Sequence, residues 1–249
     1  AEFDKALECL LDYQLTRYWQ VLAPLQQVVH NLMGLSDGGS RLAGTVIDED
    51  DCRREFSTDP MKSKMLELAS LMVATYFHDT ARAYKACKKL MQDNTKVFGP
   101  DYWVPLQMFY SGLALARISR TKRYRSKKRK AAALLRQLRV WSEQGSVTCK
   151  HLYLLLEAEI SQSVSNCADV LSLYFDAANA ASSVKMIHHE ALIYELAAQY
   201  TESVGMVDEN TRVLYESSRA LYNTWGARAK AQQIQDHAAR LSTKAVGDA

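Results

Sequence analysis

Apolar residues recur at every third or fourth position along almost the whole chain, the spacing that lines one face of an α-helix. Strict apolar–polar alternation never lasts beyond four residues, so no strand is predicted. The first helix is expected from Phe3 to Met33, with Leu7, Leu10, Leu11, Leu15, Tyr18, Trp19 and Leu22 on one stripe. Pro24 should kink or split it, because proline lacks the N–H and clashes with the preceding turn. Residues 34–51 hold four glycines and the run Asp48-Glu49-Asp50-Asp51, and read as the one long loop, with Val46-Ile47 packing back on the core. A helix over 60–77 opens on Asp59-Pro60, an N-cap followed by proline at the first helical position. Further helices are expected over 79–98, stopped by Gly99-Pro100, then 102–119, 126–144, 147–163, 166–183, 186–204, 208–225 and 227–244. Gly205 is the expected C-cap of the helix from Met186, and Asp208 the N-cap of the next.

A weak internal period organises the second half. Leu156-Glu157-Ala158-Glu159 and Tyr194-Glu195-Leu196-Ala197 lie 38 residues apart in successive helical hairpins. Helix pairs repeating at that interval mark tetratricopeptide-like and related solenoids. Ala177-Ala178, Ala180-Ala181 and Ala197-Ala198 allow close helix approach, while Tyr174, Tyr194, Tyr200, Tyr215 and Tyr222 fill larger gaps. The expected fold is all-α: about ten antiparallel helices in a tetratricopeptide-like right-handed α-solenoid, forming one domain over 1–249. An irregular helical bundle is the alternative.

Composition agrees with helices: 249 residues carry only 10 Gly and 4 Pro, too few for the turns of a large sheet. The net charge of +3 hides an uneven distribution. Residues 1–117 are net −2, residues 118–139 net +10 with no acid, and residues 140–249 net −5. Cys9, Cys52, Cys87, Cys149 and Cys167 are odd in number, widely spaced and free of any C-x-x-C, which argues for reduced thiols rather than disulfides or structural zinc. No apolar run reaches the length of a membrane span, and no secretory signal opens the chain. Ala1-Glu2-Phe3 has the look of a vector scar, and the chain starts within helical pattern, so a segment of a longer cytoplasmic protein is expected.

Motifs for chemistry are weak. Gly34-Leu35-Ser36-Asp37-Gly38 fits G-x-S-x-G, but that motif needs a strand before it and a sheet behind it. His188-His189-Glu190 places adjacent side chains about 100° apart on a helix with no third ligand at a useful offset, so no metal site is expected. His30, His78, His151 and His237 stand isolated in sequence. The acidic run Asp48–Asp51 lacks the spacing of a calcium loop and suits a solvated loop or the first turn of a short helix. No phosphate-binding glycine loop or dinucleotide fingerprint occurs, and neither catalytic residues nor a cofactor are assigned.

The outstanding feature is the basic segment 117–139, with Arg120, Lys122, Arg123, Arg125, Lys127, Lys128, Arg129 and Lys130 as candidate binding residues. A solvated helix start, docking to an acidic partner, and binding of nucleic acid or anionic lipid compete as explanations. Nucleic acid is disfavoured because Tyr124 is the only aromatic there to stack on bases. Ala132, Leu135, Leu138 and Val140 form an apolar side, so the helix that follows should half face the core.

The second half also resembles a known family. Leu155-Leu156-Glu157-Ala158-Glu159 is followed by Leu173-Tyr174-Phe175-Asp176-Ala177-Ala178, His189-Glu190-Ala191-Leu192, Glu195-Leu196-Ala197-Ala198, and Tyr222 with Trp225-Gly226-Ala227-Arg228-Ala229-Lys230. This order is similar to the tetratricopeptide-like helical region of large hybrid signalling kinases. Those proteins combine a serine/threonine-kinase-like domain, a signal-transduction ATPase, the helical region, a GAF domain and a sensor histidine kinase. Phe56, the helix Phe109–Ala116 and Trp141 extend the likeness, which is strongest over 141–244. The resemblance implies a non-catalytic region that contacts a protein partner or neighbouring domains and relays signals between ATPase and kinase modules. A sensor binding a small molecule or peptide in the solenoid groove is the alternative, and an enzyme would need a cleft with mutually hydrogen-bonded titratable groups.

Overall fold

The computed structural model describes residues 2–36, 38–92, 103–162 and 166–247. They form twelve α-helices and two short 3₁₀ turns, and contain no strand, only an isolated antiparallel bridge between Ala43 and Asp48. Most helices pack on a neighbour in sequence, and the chain resolves into two compact units, Ala1–Lys127 and Lys128–Ala249.

The first unit contains α1 (Glu2–Asp12), α2 (Thr16–Met33), α3 (Glu49–Glu55), α4 (Pro60–Tyr76), α5 (Thr80–Gln92) and α6 (Trp103–Ser119). Helix α4 packs against α2, α5 and α6 and buries residues on nearly every side, among them Met65, Leu68, Leu71, Val73 and Tyr76. A helix surrounded in this way carries apolar residues all round rather than on one stripe. Its start is as the sequence predicts: the Asp59 carboxylate accepts from the N–H groups of Met61 and Lys62, with Pro60 behind it. The expected stop of α5 at Gly99-Pro100 lies outside the described residues.

The expected single helix over 3–33 is divided, but not at Pro24. The break falls at Tyr13–Leu15, where Gln14 adopts a left-handed backbone with φ of 59°. Pro24 sits buried inside α2. Of the predicted stripe, Leu11, Leu15 and Tyr18 are exposed, as is Tyr13, and Leu10, Trp19 and Leu22 are half-buried.

The loop between α2 and α3 ends at Asp48, earlier than the sequence suggests, because Asp48 caps α3 by accepting from the N–H groups of Asp50 and Asp51. The acidic run is therefore the first turn of a helix, where carboxylates meet the positive end of the dipole. Two amides on α2 hold the loop. Asn31 donates to the carbonyls of Gly39 (2.8 Å) and Arg41 (2.6 Å), and Gln27 accepts from the N–H groups of Val46 and Ile47 while donating to Asn31. Leu42 and Ile47 are buried beneath it, as Val46-Ile47 led one to expect. Gly34, the first residue of the G-x-S-x-G match, is the left-handed cap of α2, and the Ser36 hydroxyl donates to Asn31. No strand precedes this serine among the described residues, so the nucleophile-elbow geometry is absent there.

The second unit comprises α7 (Lys127–Glu143), α8 (Val147–Ser161), α9 (Cys167–Ser183), α10 (Ile187–Ser203), α11 (Glu209–Trp225) and α12 (Arg228–Gly247). Helix α10 packs on both α9 and α11 and is its most enclosed element, burying Ala191, Leu192, Ile193, Leu196, Ala197 and Ala198. The alanines of α9 (Ala177, Ala178, Ala180, Ala181) are buried as well, and Tyr174 packs on Tyr200. The capping residue of α10 is Val204; Gly205 follows it with φ of 79°. Asp208 caps α11 and Gly226, with φ of 92°, closes it.

Candidate interaction surface

The basic segment spans the end of α6, a 3₁₀ turn at Lys122–Tyr124 and the start of α7. Arg120, Arg123, Arg125, Arg129 and Lys130 are exposed, and Lys127 and Lys128 are half-buried; the Lys122 side chain is outside those described. The first turn of α7 carries Lys127, Lys128, Arg129 and Lys130 and no acid. Cations at that end oppose the helix dipole by about 0.3–1 kcal/mol each at low ionic strength. Ala131 and Leu138 anchor α7 by burial, Ala132 and Leu135 are half-buried, and Val140 is exposed. The apolar side is thus narrower than the sequence suggests. Arg139 turns away from the rest, pairing with Glu157 of α8 and lying over the Tyr153 ring.

Chemistry-bearing groups cluster elsewhere in ways that sequence adjacency does not reveal. His151 of α8 and His189 of α10 are buried and hydrogen-bonded, Nε2 to Nδ1, at 2.9 Å. His188 packs on His189 and stacks against Trp225 of α11. Burial pushes the imidazoles of His151 and His188 down to about 4 and that of His189 well below its ordinary value, with their mutual repulsion adding to the effect on His151 and His189. They are therefore neutral at physiological pH. Among the described residues no group of three or more potential ligands could hold a metal ion.

A second buried cluster ties α10, α11 and α12. Lys230 donates to Glu195 at 2.7 Å and to Gln233 at 2.8 Å, and the Tyr222 hydroxyl donates to Glu195 at 3.1 Å. Two tyrosines recur in like roles. Tyr174 of α9 donates to Glu159 of α8 at 2.6 Å, and Tyr215 of α11 donates to Glu202 of α10 at 2.9 Å. Each fastens a second helix to the first helix of its hairpin.

In the first unit, Arg53 bridges Glu49 and Glu67, Arg82 donates to Glu49 at 3.0 Å, and Lys89 donates to Glu67 at 2.8 Å. Burial alone would raise the Glu49 carboxyl, but the hydrogen bond from Arg53 and the charges of Arg82 and Arg53 hold it below its ordinary value. Arg53, Glu67 and Lys89 of this network line a cleft of about 270 Å³ with Lys64 and Leu90. Its carboxylates are engaged by permanent cations, which suits a tie between α3, α4 and α5 better than proton transfer. A wider groove of about 390 Å³ lies between α11 and α12, floored by Tyr215, Ile234 and Ala238 and edged by Arg212, Glu216 and Arg219.

Among the described residues no helix is long and apolar enough to cross a membrane. No family profile, curated protein or solved structure matches this chain.

Proposed function

We propose that this chain is a non-catalytic helical-repeat region of a larger cytoplasmic signalling protein, built as a tetratricopeptide-like right-handed solenoid that binds a protein partner or neighbouring domains. The observation that carries this reading is the recurrence of one hairpin plan in the second unit. The first helices begin at Val147, Ile187 and Arg228, offsets of 40 and 41 residues. Their partners α9 and α11 each return a tyrosine hydroxyl to a carboxylate on the preceding helix. Stacked helix pairs with such a period present extended surfaces suited to helices and peptides. In the resembled signalling kinases, such a region would pass conformational changes between an ATPase and an output kinase. The intact reading frame tests this: kinase-like and ATPase motifs flanking the segment are expected, and a free-standing frame overturns the domain context.

The groove between α11 and α12 favours a second reading, a sensor for a small molecule or peptide. A metabolite that binds there should raise the melting temperature of the chain. No shift across a broad metabolite set would set this reading aside.

A further inference from the structure

We propose that the outer face of α5 and the segment from Arg123 to Arg125 form one docking surface for an acidic polypeptide segment. The proposal rests on reading the chain as an interaction module and names the chemistry of a partner.

Helix α5 carries four cations, Arg82, Lys85, Lys88 and Lys89, and no acid. Arg82 and Lys89 are committed to Glu49 and Glu67. Lys85 and Lys88 are exposed, and no carboxylate pairs with them among the described residues. Tyr84, also on α5, packs its ring on Tyr124 with centroids 5.1 Å apart. Arg123 lies over the same Tyr124 ring, its Cζ 5.5 Å from the centroid. Helical spacing puts Lys88 one turn beyond Tyr84 on the same side of α5, with Lys85 beside it. The tyrosine contact therefore joins two acid-free stretches that lie far apart in sequence. Together they present Lys85, Lys88, Arg123 and Arg125, all exposed.

No carboxylate pairs with Lys85, Lys88, Arg123 or Arg125 among the described residues, and cations gathered in this way repel one another and select an anionic partner. Tyr124 is engaged by the Tyr84 ring, tilted at 55°, and by Arg123, so it offers no row of free aromatic faces of the kind a single-stranded nucleic acid stacks on. Guanidinium forks and ammonium groups arrayed on an exposed surface suit carboxylates along a polypeptide.

The test is fluorescence anisotropy of a labelled peptide of mixed Glu and Ala, titrated with the whole chain at near-physiological salt. Saturable binding is expected. It should weaken on the order of tenfold in Kd with Lys85→Glu and Lys88→Glu together, and similarly with Arg123→Glu and Arg125→Glu. Lys150→Glu, an exposed cation of the second unit, should leave Kd unchanged. Circular dichroism monitors the fold; if charge reversal costs helix, Lys85→Gln with Lys88→Gln gives the same reading with a smaller loss. Three results would overturn the proposal: no saturable binding by the parent chain, equal binding by parent and α5 variants, or displacement of the peptide by a single-stranded oligonucleotide at lower concentration. None of these bears on the flanking motifs of the reading frame, so the docking surface and the domain context fail separately.

Discussion

Lys230 has a fully buried side chain whose ammonium faces Glu195, itself 3 % exposed. Removing one member of a buried pair strands the other charge in low dielectric. Lys230→Met should therefore cost roughly 3–5 kcal/mol of unfolding free energy in urea titrations. Adding Glu195→Gln should restore most of that loss, since the stranded charge is then gone; a double variant as weak as the single one would show that packing, not charge, dominates. The three histidines set a pH dependence. Each imidazole is neutral in the folded chain and regains an ordinary value near 6.5 on unfolding. Their stabilising effect is full above pH 6.5 and is lost as pH falls towards about 4. From neutral pH to about pH 5, His151 and His188 should each account for about 1–2 kcal/mol of lost stability. Replacing His188 by Gln should flatten the slope of stability against pH by nearly one proton; an unchanged slope would contradict the assignment. This cluster was half-legible in the sequence. His188 and His189 are adjacent there, and His151 lies 38 residues earlier, the same offset as the internal repeat. Only the fold turns that offset into contact, by bringing the His151 and His189 side chains together.

At the scale of elements, helix ends were the most readable feature. Asp59-Pro60 and Asp208 act as local chemistry dictates, because caps depend on a few neighbouring residues, whereas the cap expected at Gly205 falls one residue earlier, at Val204. Asp59→Ala should cost about 1 kcal/mol, and Gly226→Ala a comparable amount from its left-handed backbone, both measurable by thermal unfolding. The break at Gln14 was not legible: glutamine carries no signal for a positive φ, whereas Pro24, which carries a strong signal for a break, lies inside a continuous α2. The loop between α2 and α3 was legible as a loop but not as an ordered one, since the amides of Gln27 and Asn31 that pin it lie on the preceding helix. A Cβ at Gly44 would come within 2.5 Å of the Gln27 amide and 2.9 Å of Ser36. Gly44→Ala should displace Gln27 from the N–H groups of Val46 and Ile47. Faster hydrogen exchange at those two amides is the expected result, with α4 unaffected.

Across the whole chain, helical periodicity made the fold class readable, because a 3.6-residue pattern survives in nearly every segment. Grouping into two compact units was not, since the boundary falls inside the basic segment at Lys127, where composition changes only in charge. The joining of α5 to that segment through Tyr84 and Tyr124 was equally hidden, as the two tyrosines lie forty positions apart in sequence. The proposed function depends on hairpins behaving as repeating units, and native-state hydrogen exchange of the second unit tests this most directly. In a linear array, stability is shared among repeats and their interfaces, and units can open separately. Increasing low concentrations of denaturant should resolve different opening free energies for the α8–α9 and α10–α11 hairpins. A single shared opening free energy for every buried amide from α8 to α11 would contradict the repeat architecture and favour an irregular bundle.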